Sequence, residues 1–174
     1  MSRYDEEVWF RFMPALRTLL LVRHAKSSWK HPELEDIERP LNKRGARDAP
    51  VMGERLLARS LIPDLIVSSP AARALTTAQM IAGELRCSLE AIVVDDALYA
   101  ATPLDVLNAV SVFDDSVRLA LVVTHNPAIT ELANRISDAP IDNVPTCGIL
   151  TIGTPAWDCI DGGTLVDFDY PRKP

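Results

Sequence analysis

The sequence has few of the residues that build disulfide frameworks or zinc sites. Its three cysteines are odd in number, far apart and free of any CxxC spacing, so neither kind of site is indicated. We expect Cys87, Cys147 and Cys159 to be buried, reduced thiols. No apolar stretch approaches the ~20 residues that span a bilayer, and residues 5–7 are acidic where a secretory signal would be basic. A cytoplasmic protein is therefore expected.

Basic residues are also in deficit. The 174-residue chain carries 18 basic against 24 acidic residues, a formal net charge of −6, which gives no overall electrostatic reason to approach nucleic acid or an anionic membrane. An anionic substrate would need a local cluster of cations. Because 48% of the residues are hydrophobic, the chain can bury a sizeable core, and its length predicts one domain.

Short apolar runs alternate with amphipathic segments. The run RTLLLVR predicts a strand over residues 17–23, and DLIVSS, AIVV and RLALVVTH predict three more. Helices are expected over residues 42–59 and 70–85 and in the segments TPLDVLNAVSVF and NPAITELANRI. Ser69 and Pro70 are expected to open the second helix as its cap and first residue. The first helix is expected to bury one face, made of Ala46, Ala49, Met52, Gly53, Leu56 and Leu57.

This alternation predicts an α/β fold in one domain, a three-layer sandwich of a mostly parallel sheet with helices on both faces. CGILTIG and TLVDFDY predict an antiparallel edge near the C terminus. Residues 1–12 fit none of these units, so we expect an N-terminal extension before a catalytic domain of residues 13–174. A genuine extension and a mis-assigned start at Met13 both stay open.

Chemically active residues follow three of the predicted strands. The first strand ends in Arg23 and His24, Arg73 lies in the first turn of the helix after the second strand, and His125 follows the fourth. In a parallel sheet, ligands bind beyond the carboxyl ends of the strands. We therefore expect these four side chains to meet at one edge. Taken alone, each histidine could be a hydrogen-bonded structural residue and each arginine a solvated one. Packing hardly explains why all four residues follow strand ends on the same edge.

The set suits phosphate. Arginine offers a planar fork of donors to phosphate oxygens, and helix N-termini after Ser69 and Asn126 add N–H groups. A neutral imidazole can attack phosphorus, and cations around His24 favour its neutral form. The same cations would stabilise the transferring phosphoryl group, so no metal and no cofactor is expected.

The string LLLVRHAKSSW resembles the signature of the histidine phosphatase superfamily, with Ala25 where glycine is usual. SSPAARALTTAQ, LVVTHNP and RPLNKRGARDA extend the resemblance over residues 17–153, closest to the SixA-type phosphohistidine phosphatases. The resemblance implies a phosphoglycerate mutase-like fold. It also implies a nucleophile at His24 and a phosphate pocket completed by Arg23, Arg73, His125 and, more weakly, Ser27.

Two departures from the family pattern bear on substrate. Lys30 stands where larger members have Asn, and Ala97 stands where they have the Glu that protonates the leaving group. An alkoxide leaving group without an acid loses a factor of ~100 to 10,000 in rate, whereas the imidazole of phosphohistidine can already carry a proton. Asp96 is an alternative acid or a solvated carboxylate. No strand-to-helix loop looks long enough for a lid, which leaves room for a protein substrate.

Three functions stay open at this stage. The first is hydrolysis of phosphohistidine in a protein through a covalent intermediate on His24. A small-molecule phosphomonoesterase would use the same nucleophile, and a phosphate-binding module would recognise phosphorylated partners without turnover. The loop with Lys26, Lys30, His31, Glu33, Glu35 and Asp36 is either a docking surface or an ordinary solvated loop.

Overall fold

A computed structural model describes residues 16–173 of the chain. The expected extension at residues 1–12 and the start at Met13 lie outside the described residues. Within residues 16–173, no helix has the length and apolar character needed to cross a membrane.

Within the described residues, six strands form one sheet, in the order β3-β2-β4-β1-β5-β6. They are β1 (Arg17–Arg23), β2 (Leu65–Ser68), β3 (Val93–Val94), β4 (Leu119–Thr124), β5 (Ile149–Thr154) and β6 (Thr164–Asp169). The strands β1 to β4 pair in parallel, while β5 runs antiparallel to both β1 and β6. The mostly parallel sheet with an antiparallel edge near the C terminus is therefore confirmed.

In the part of the chain that the structure describes, four α-helices cover the two faces of the sheet. They are α1 (Lys43–Ala58), α2 (Ala72–Glu84), α3 (Pro103–Ser111) and α4 (Ala128–Ile136). Alternate residues of β1 supply both cores: Leu20 and Val22 pack with α1 and α2, and Leu19 and Leu21 pack with α3 and α4. This explains the continuous apolar run, because a strand covered on both faces has no solvent side.

The buried face of α1 is turned relative to the expected one. Ala46 and Leu57 are exposed, while Gly45 and Asp48 are buried. The reason is a close approach between backbones, since a Cβ on Gly45 would lie 2.3 Å from the carbonyl oxygen of Lys26. Glycine permits that approach, and it fixes the helix against the segment that follows β1.

Two other element boundaries differ from expectation. Helix α2 begins at Ala72 without a side-chain cap, and the hydroxyl of Ser69 accepts from the N–H of Ala71 before the helix and contacts the ring of His125. The AIVV strand shortens to Val93–Val94, a half-exposed pair at the end of the sheet, where only β2 offers backbone partners.

The cysteines are free but not all buried. Cys147 is buried and Cys87 is half-buried, but Cys159 is exposed, so the expectation of a buried thiol is wrong there. Cys159 lies in a short 3₁₀ segment whose inward positions are taken by Trp157 and Ile160. Burial raises the pKa of Cys147 to about 12.

Candidate active site

The carboxyl ends of β1, β2 and β4 lie at one edge of the sheet, because these strands are parallel and adjacent. A cavity of about 210 Å³ opens there. All five residues expected at the site line this single cavity, namely Arg23, His24, Ser27, Arg73 and His125. The sheet thus joins residues that lie up to 102 positions apart in the sequence.

His24 is positioned by the sheet and oriented by its own chain. Its backbone N–H donates to the carbonyl of Thr124 over 3.0 Å, and its Nδ1 lies 2.7 Å from the carbonyl oxygen of Ala25. A carbonyl can only accept, so Nδ1 carries the proton and the lone pair of the neutral ring is on Nε2. Burial lowers the pKa of His24 to about 3, and neighbouring His125 and the arginines also lower it.

His125 is held by a hydroxyl in the same Nδ1–H tautomer as His24. Its Nε2 lies 2.7 Å from Oγ of Ser69, which also accepts a 3.3 Å hydrogen bond from the N–H of Ala71. Ser69 is fully buried, and its hydroxyl has no acceptor other than Nε2 within residues 16–173, so the hydroxyl donates to Nε2 and the ring proton is on Nδ1. Within residues 16–173, this Nδ1 is buried without a hydrogen-bond partner. An incoming anionic oxygen would satisfy it.

The two rings share an environment that disfavours protonation. The ring centroids of His24 and His125 are 4.9 Å apart. Burial lowers the pKa of His125 to about 4, with Arg73 adding to the shift and Asp36 opposing it. Both rings are therefore neutral at physiological pH.

Arg23 has one edge of its guanidinium fixed and another unsatisfied. Nη1 donates to the carbonyl of Val144 over 2.6 Å and to Oδ1 of Asn143 over 3.1 Å. Nε is buried and has no partner among the described residues. A phosphate oxygen in the cavity would complete its hydrogen bonding, because arginine matches phosphate with two adjacent N–H groups.

Arg73 is anchored by a carboxylate that we expected in a solvated or docking loop. Its Nη2 lies 2.8 Å from Oδ2 of Asp36, and its Nη1 donates to the Asp36 carbonyl. The carboxylate of Asp36 also accepts from Nη1 of Arg39 over 2.7 Å and from the hydroxyl of Tyr99 over 3.1 Å. Partial burial raises the pKa of Asp36, but these arginines outweigh it and lower the pKa to about 2.

Ser27 is linked to the same network. Its Oγ accepts a 2.7 Å hydrogen bond from Nη2 of Arg39, which leaves its own O–H available to donate into the cavity. Arg39 also donates through Nε to the carbonyl of Ser28 over 3.1 Å. Its guanidinium carbon lies 3.2 Å from the ring centroid of Trp29, and both side chains line the cavity.

The arrangement suits a tetrahedral anion rather than a metal ion. Within the part of the chain that the structure describes, no three His, Cys, Asp or Glu side chains are grouped as metal ligands. The cavity is instead lined by Arg23, Arg73 and His125 together with His24. Such groups bind phosphate oxygens and stabilise charge in phosphoryl transfer.

Comparison with known proteins agrees with this geometry. Residues 19–99 match the family model of the histidine phosphatase superfamily, branch 1. A Mycobacterium tuberculosis protein of uncharacterised function is 30% identical over 164 residues, covering 87% of this chain and 100% of that protein. The SixA protein of Agrobacterium tumefaciens, a proposed phosphohistidine phosphatase, superposes with a TM-score of 0.77 at 28% identity over 89% of this chain and 98% of that one. The chain belongs to the histidine phosphatase superfamily, in its SixA-type branch.

Two further proteins are similar to this chain. An uncharacterised chloroplast protein of Arabidopsis thaliana is 31% identical over 139 residues, which cover 75% of this chain but only 63% of the length of that protein. A SixA protein histidine phosphatase solved with tungstate has a TM-score of 0.73 at 21% identity, covering 88% of this chain and 97% of that one. The second likeness shows that this chain shares the fold of the superfamily.

The structure also separates the other candidate residues. Lys30, Asp96 and Ala97 are exposed, and none of them lines either cavity that contains His125. The second of these cavities includes Asp36, Tyr99 and Arg73. Within the described chain, the carboxylate that reaches this histidine phosphatase site is therefore Asp36 and not Asp96.

Sequence reasoning assigned no role to Asp36, Arg39 or Trp29. They lie in an irregular segment that looks like a polar, proline-bearing loop, and only a 3₁₀ turn over Asp36–Glu38 forms there. The available signal was the RPLNKRG stretch, which contains Arg39 and resembles a family motif without indicating a contact. Ser69 was noted only as a helix cap.

Proposed function

We propose that this protein is a phosphohistidine phosphatase that accepts the phosphoryl group of a phosphorylated histidine onto Nε2 of His24. The observation that carries the proposal is the hydrogen bond of 2.7 Å from Nδ1 of His24 to the carbonyl of Ala25. That bond fixes the tautomer in which Nδ1 carries the proton and Nε2 keeps its lone pair. The neutral ring, with its pKa lowered to about 3, keeps this nitrogen unprotonated at neutral pH.

The phosphoryl group would be held by the surrounding cations. Arg23 and Arg73 supply charge-assisted hydrogen bonds, while Nδ1–H of His125 and the hydroxyl of Ser27 add neutral ones. Nε of Arg23 and Nδ1 of His125 are buried and have no hydrogen-bond partner within residues 16–173. The oxygens of a bound anion would accept hydrogen bonds from both atoms. These groups provide the electrostatic stabilisation that a metal ion gives in other phosphoryl-transfer enzymes. Turnover is therefore expected to be insensitive to chelators.

The reaction is a double displacement. The bond from phosphorus to Nε2 of His24 forms as the N–P bond of the substrate breaks, and the departing ring keeps the electron pair of that bond. Because the ring already carries a proton on its other nitrogen, it departs as neutral imidazole. Water then attacks the phosphorus on His24 and returns the electron pair of the P–N bond to Nε2. Both protons of the water leave with the product as dihydrogen phosphate, which loses a proton to solvent.

The choice of an N–P bond follows from the acids that the site contains. The nearby carboxyl group of Asp36 is held ionised by Arg39 and Arg73, with a pKa of about 2, so at neutral pH it has no proton to donate. An alkoxide departing from a phosphate ester would have to leave without general acid assistance. A protonated phosphoimidazole does not need that assistance, which favours phosphohistidine as substrate.

A comparison of leaving groups tests the proposal. We expect kcat/KM for a phosphohistidine peptide to exceed that for the matching phosphoserine peptide by at least ~100-fold, the lower end of what general acid catalysis supplies. Phosphoramidate, which has the N–P bond without a ring, should also be hydrolysed, and EDTA should not reduce any of the rates. Steady-state release of inorganic phosphate gives all three values.

Each alternative function has its own result in this experiment. Equal efficiency on the phosphoserine and phosphohistidine peptides would indicate a general phosphomonoesterase. Tight vanadate binding without turnover of any of the three compounds would indicate a binding module that recognises phosphorylated partners.

A further inference from the structure

Trp29 is an exposed aromatic side chain at the mouth of the candidate active site. Its relative exposure is 74%, and it is the one aromatic residue among the large, exposed hydrophobic side chains of residues 16–173. It also lines the cavity that contains His24 and Arg73. Tryptophan usually buries most of its surface, so a largely solvated indole at a substrate entrance indicates a binding role.

The indole is held in place by one of its two faces. The guanidinium of Arg39 stacks 3.2 Å from the ring centroid and is itself fixed by hydrogen bonds to Ser27, Ser28 and Asp36. Arg39 is only 7% exposed, so this support is part of the packed structure. A planar group fixed in this way is ordered before a ligand arrives, and little conformational entropy is lost on binding.

We propose that Trp29 is a stacking platform for the ring that leaves from phosphorus, so that the imidazole of a phosphohistidine side chain lies against the indole while its phosphoryl group contacts Arg23 and Arg73. The inference rests on the proposed function and names the part of the substrate that the phosphate pocket does not contact. Aromatic rings attract flat, polarisable or cationic partners. A short alkyl chain such as that of phosphoserine would gain much less from the same surface.

The test compares two substrates that share the N–P bond and differ in the ring. The ratio of kcat/KM for a phosphohistidine peptide to that for phosphoramidate is measured in the wild type, in Trp29→Leu and in Trp29→Phe. Leucine keeps apolar bulk and removes the ring, and phenylalanine keeps a ring. We expect the ratio to fall about three- to tenfold in Trp29→Leu, a typical effect of one aromatic pair, and to stay within about twofold of wild type in Trp29→Phe.

The kinetic constant that changes is also specified. Stacking on a ring that is present before and during transfer is uniform binding, so the loss on phosphohistidine should appear mainly in KM and not in kcat. Vanadate affinity in each variant reports whether the phosphate pocket is intact, because vanadate lacks a ring.

Three results would overturn the platform. The first is an unchanged ratio in Trp29→Leu. The second is an equal loss of kcat/KM on both substrates, which would mean that Trp29 only supports Arg39. The third is a Trp29→Phe variant that behaves like the leucine variant. These results differ from failure of the proposed function itself. In that case the wild-type protein would show no preference for either N–P substrate over phosphoserine.

Discussion

Two regions of the candidate active site are held in place in different ways. The floor consists of Arg23, His24 and His125, which lie at or just beyond the ends of two adjacent parallel strands. The rim consists of Trp29, Asp36 and Arg39, whose segment includes only a short 3₁₀ turn. Strand pairing positions the floor. The rim segment is closed at its base by an isolated β-bridge between Ser27 and Leu41, and its three side chains are ordered by hydrogen bonds, ion pairs and stacking.

This difference suggests a division of labour. Strand ends move little because each is bonded to its neighbours, so groups that must meet phosphorus with accurate geometry belong on the floor. A side-chain network can change its members without disturbing the sheet, so substrate choice can be set at the rim. Arg73 links the two regions, because it lines the same cavity as the floor residues and forms an ion pair of 2.8 Å with Asp36 of the rim.

The floor is tested by replacing the proposed nucleophile, His24. We expect His24→Ala to lower kcat by at least ~1,000-fold, because removing a covalent nucleophile removes the whole reaction path. The far-UV circular dichroism and the cooperative unfolding transition should remain. Wild-type protein denatured during turnover should carry acid-labile phosphate on the peptide containing His24.

The chain offers a matched control for this variant. His31 is the third histidine and is exposed, with a 3.2 Å contact to Glu33. His31→Ala should retain both turnover and labelling. Label that persists in His24→Ala, or that disappears in His31→Ala, would assign the nucleophile to another residue.

The junction of floor and rim is tested at Arg73. We expect Arg73→Ala to weaken vanadate binding about 10- to 100-fold, the typical effect of one hydrogen-bonded charge. Arg73→Lys should lose part of this affinity, because lysine keeps the charge without the planar fork. The control is Arg135→Ala on α4, an exposed arginine in the last turn. Unchanged affinity in Arg73→Ala would place its guanidinium outside the phosphate pocket.

The same comparison explains what could be predicted from the sequence. Apolar runs mark the strands, and parallel strands bring their carboxyl ends to one edge, so the meeting of Arg23, His24 and His125 follows from the pattern. The rim has no such pattern. Asp36 meets Arg73 across 37 positions and Tyr99 across 63, and neither strand nor helix periodicity links those positions. A solvated polar loop and an ion-pair network have the same composition, so only coordinates distinguish them.

The smallest expected effect is on the free energy of unfolding. The floor and the rim should change this free energy in different pH ranges. The folded-state pKa values of His24 and His125, about 3 and about 4, lie below the ordinary value of 6.5. Between those values the unfolded chain binds protons that the folded chain does not. The contribution of the two histidines to the free energy of unfolding should therefore be fully present above about pH 6.5 and should fall as the pH drops towards 4. The pKa of Asp36 is lowered from 3.8 to about 2, so its contribution is lost only below that window.

Urea unfolding between pH 4.5 and pH 7 measures this dependence. In His24→Ala, one neutral buried histidine is gone, so the slope of the free energy of unfolding against pH should become shallower by up to ~1.4 kcal/mol per pH unit. Asp36→Asn is the matched rim variant and should keep the wild-type slope in this range, because its carboxyl group titrates at lower pH in both the folded and the unfolded chain. Equal slopes in wild type and His24→Ala would show that His24 has the same pKa in the folded and unfolded chain. The proposed neutral imidazole of His24 would then have to be abandoned.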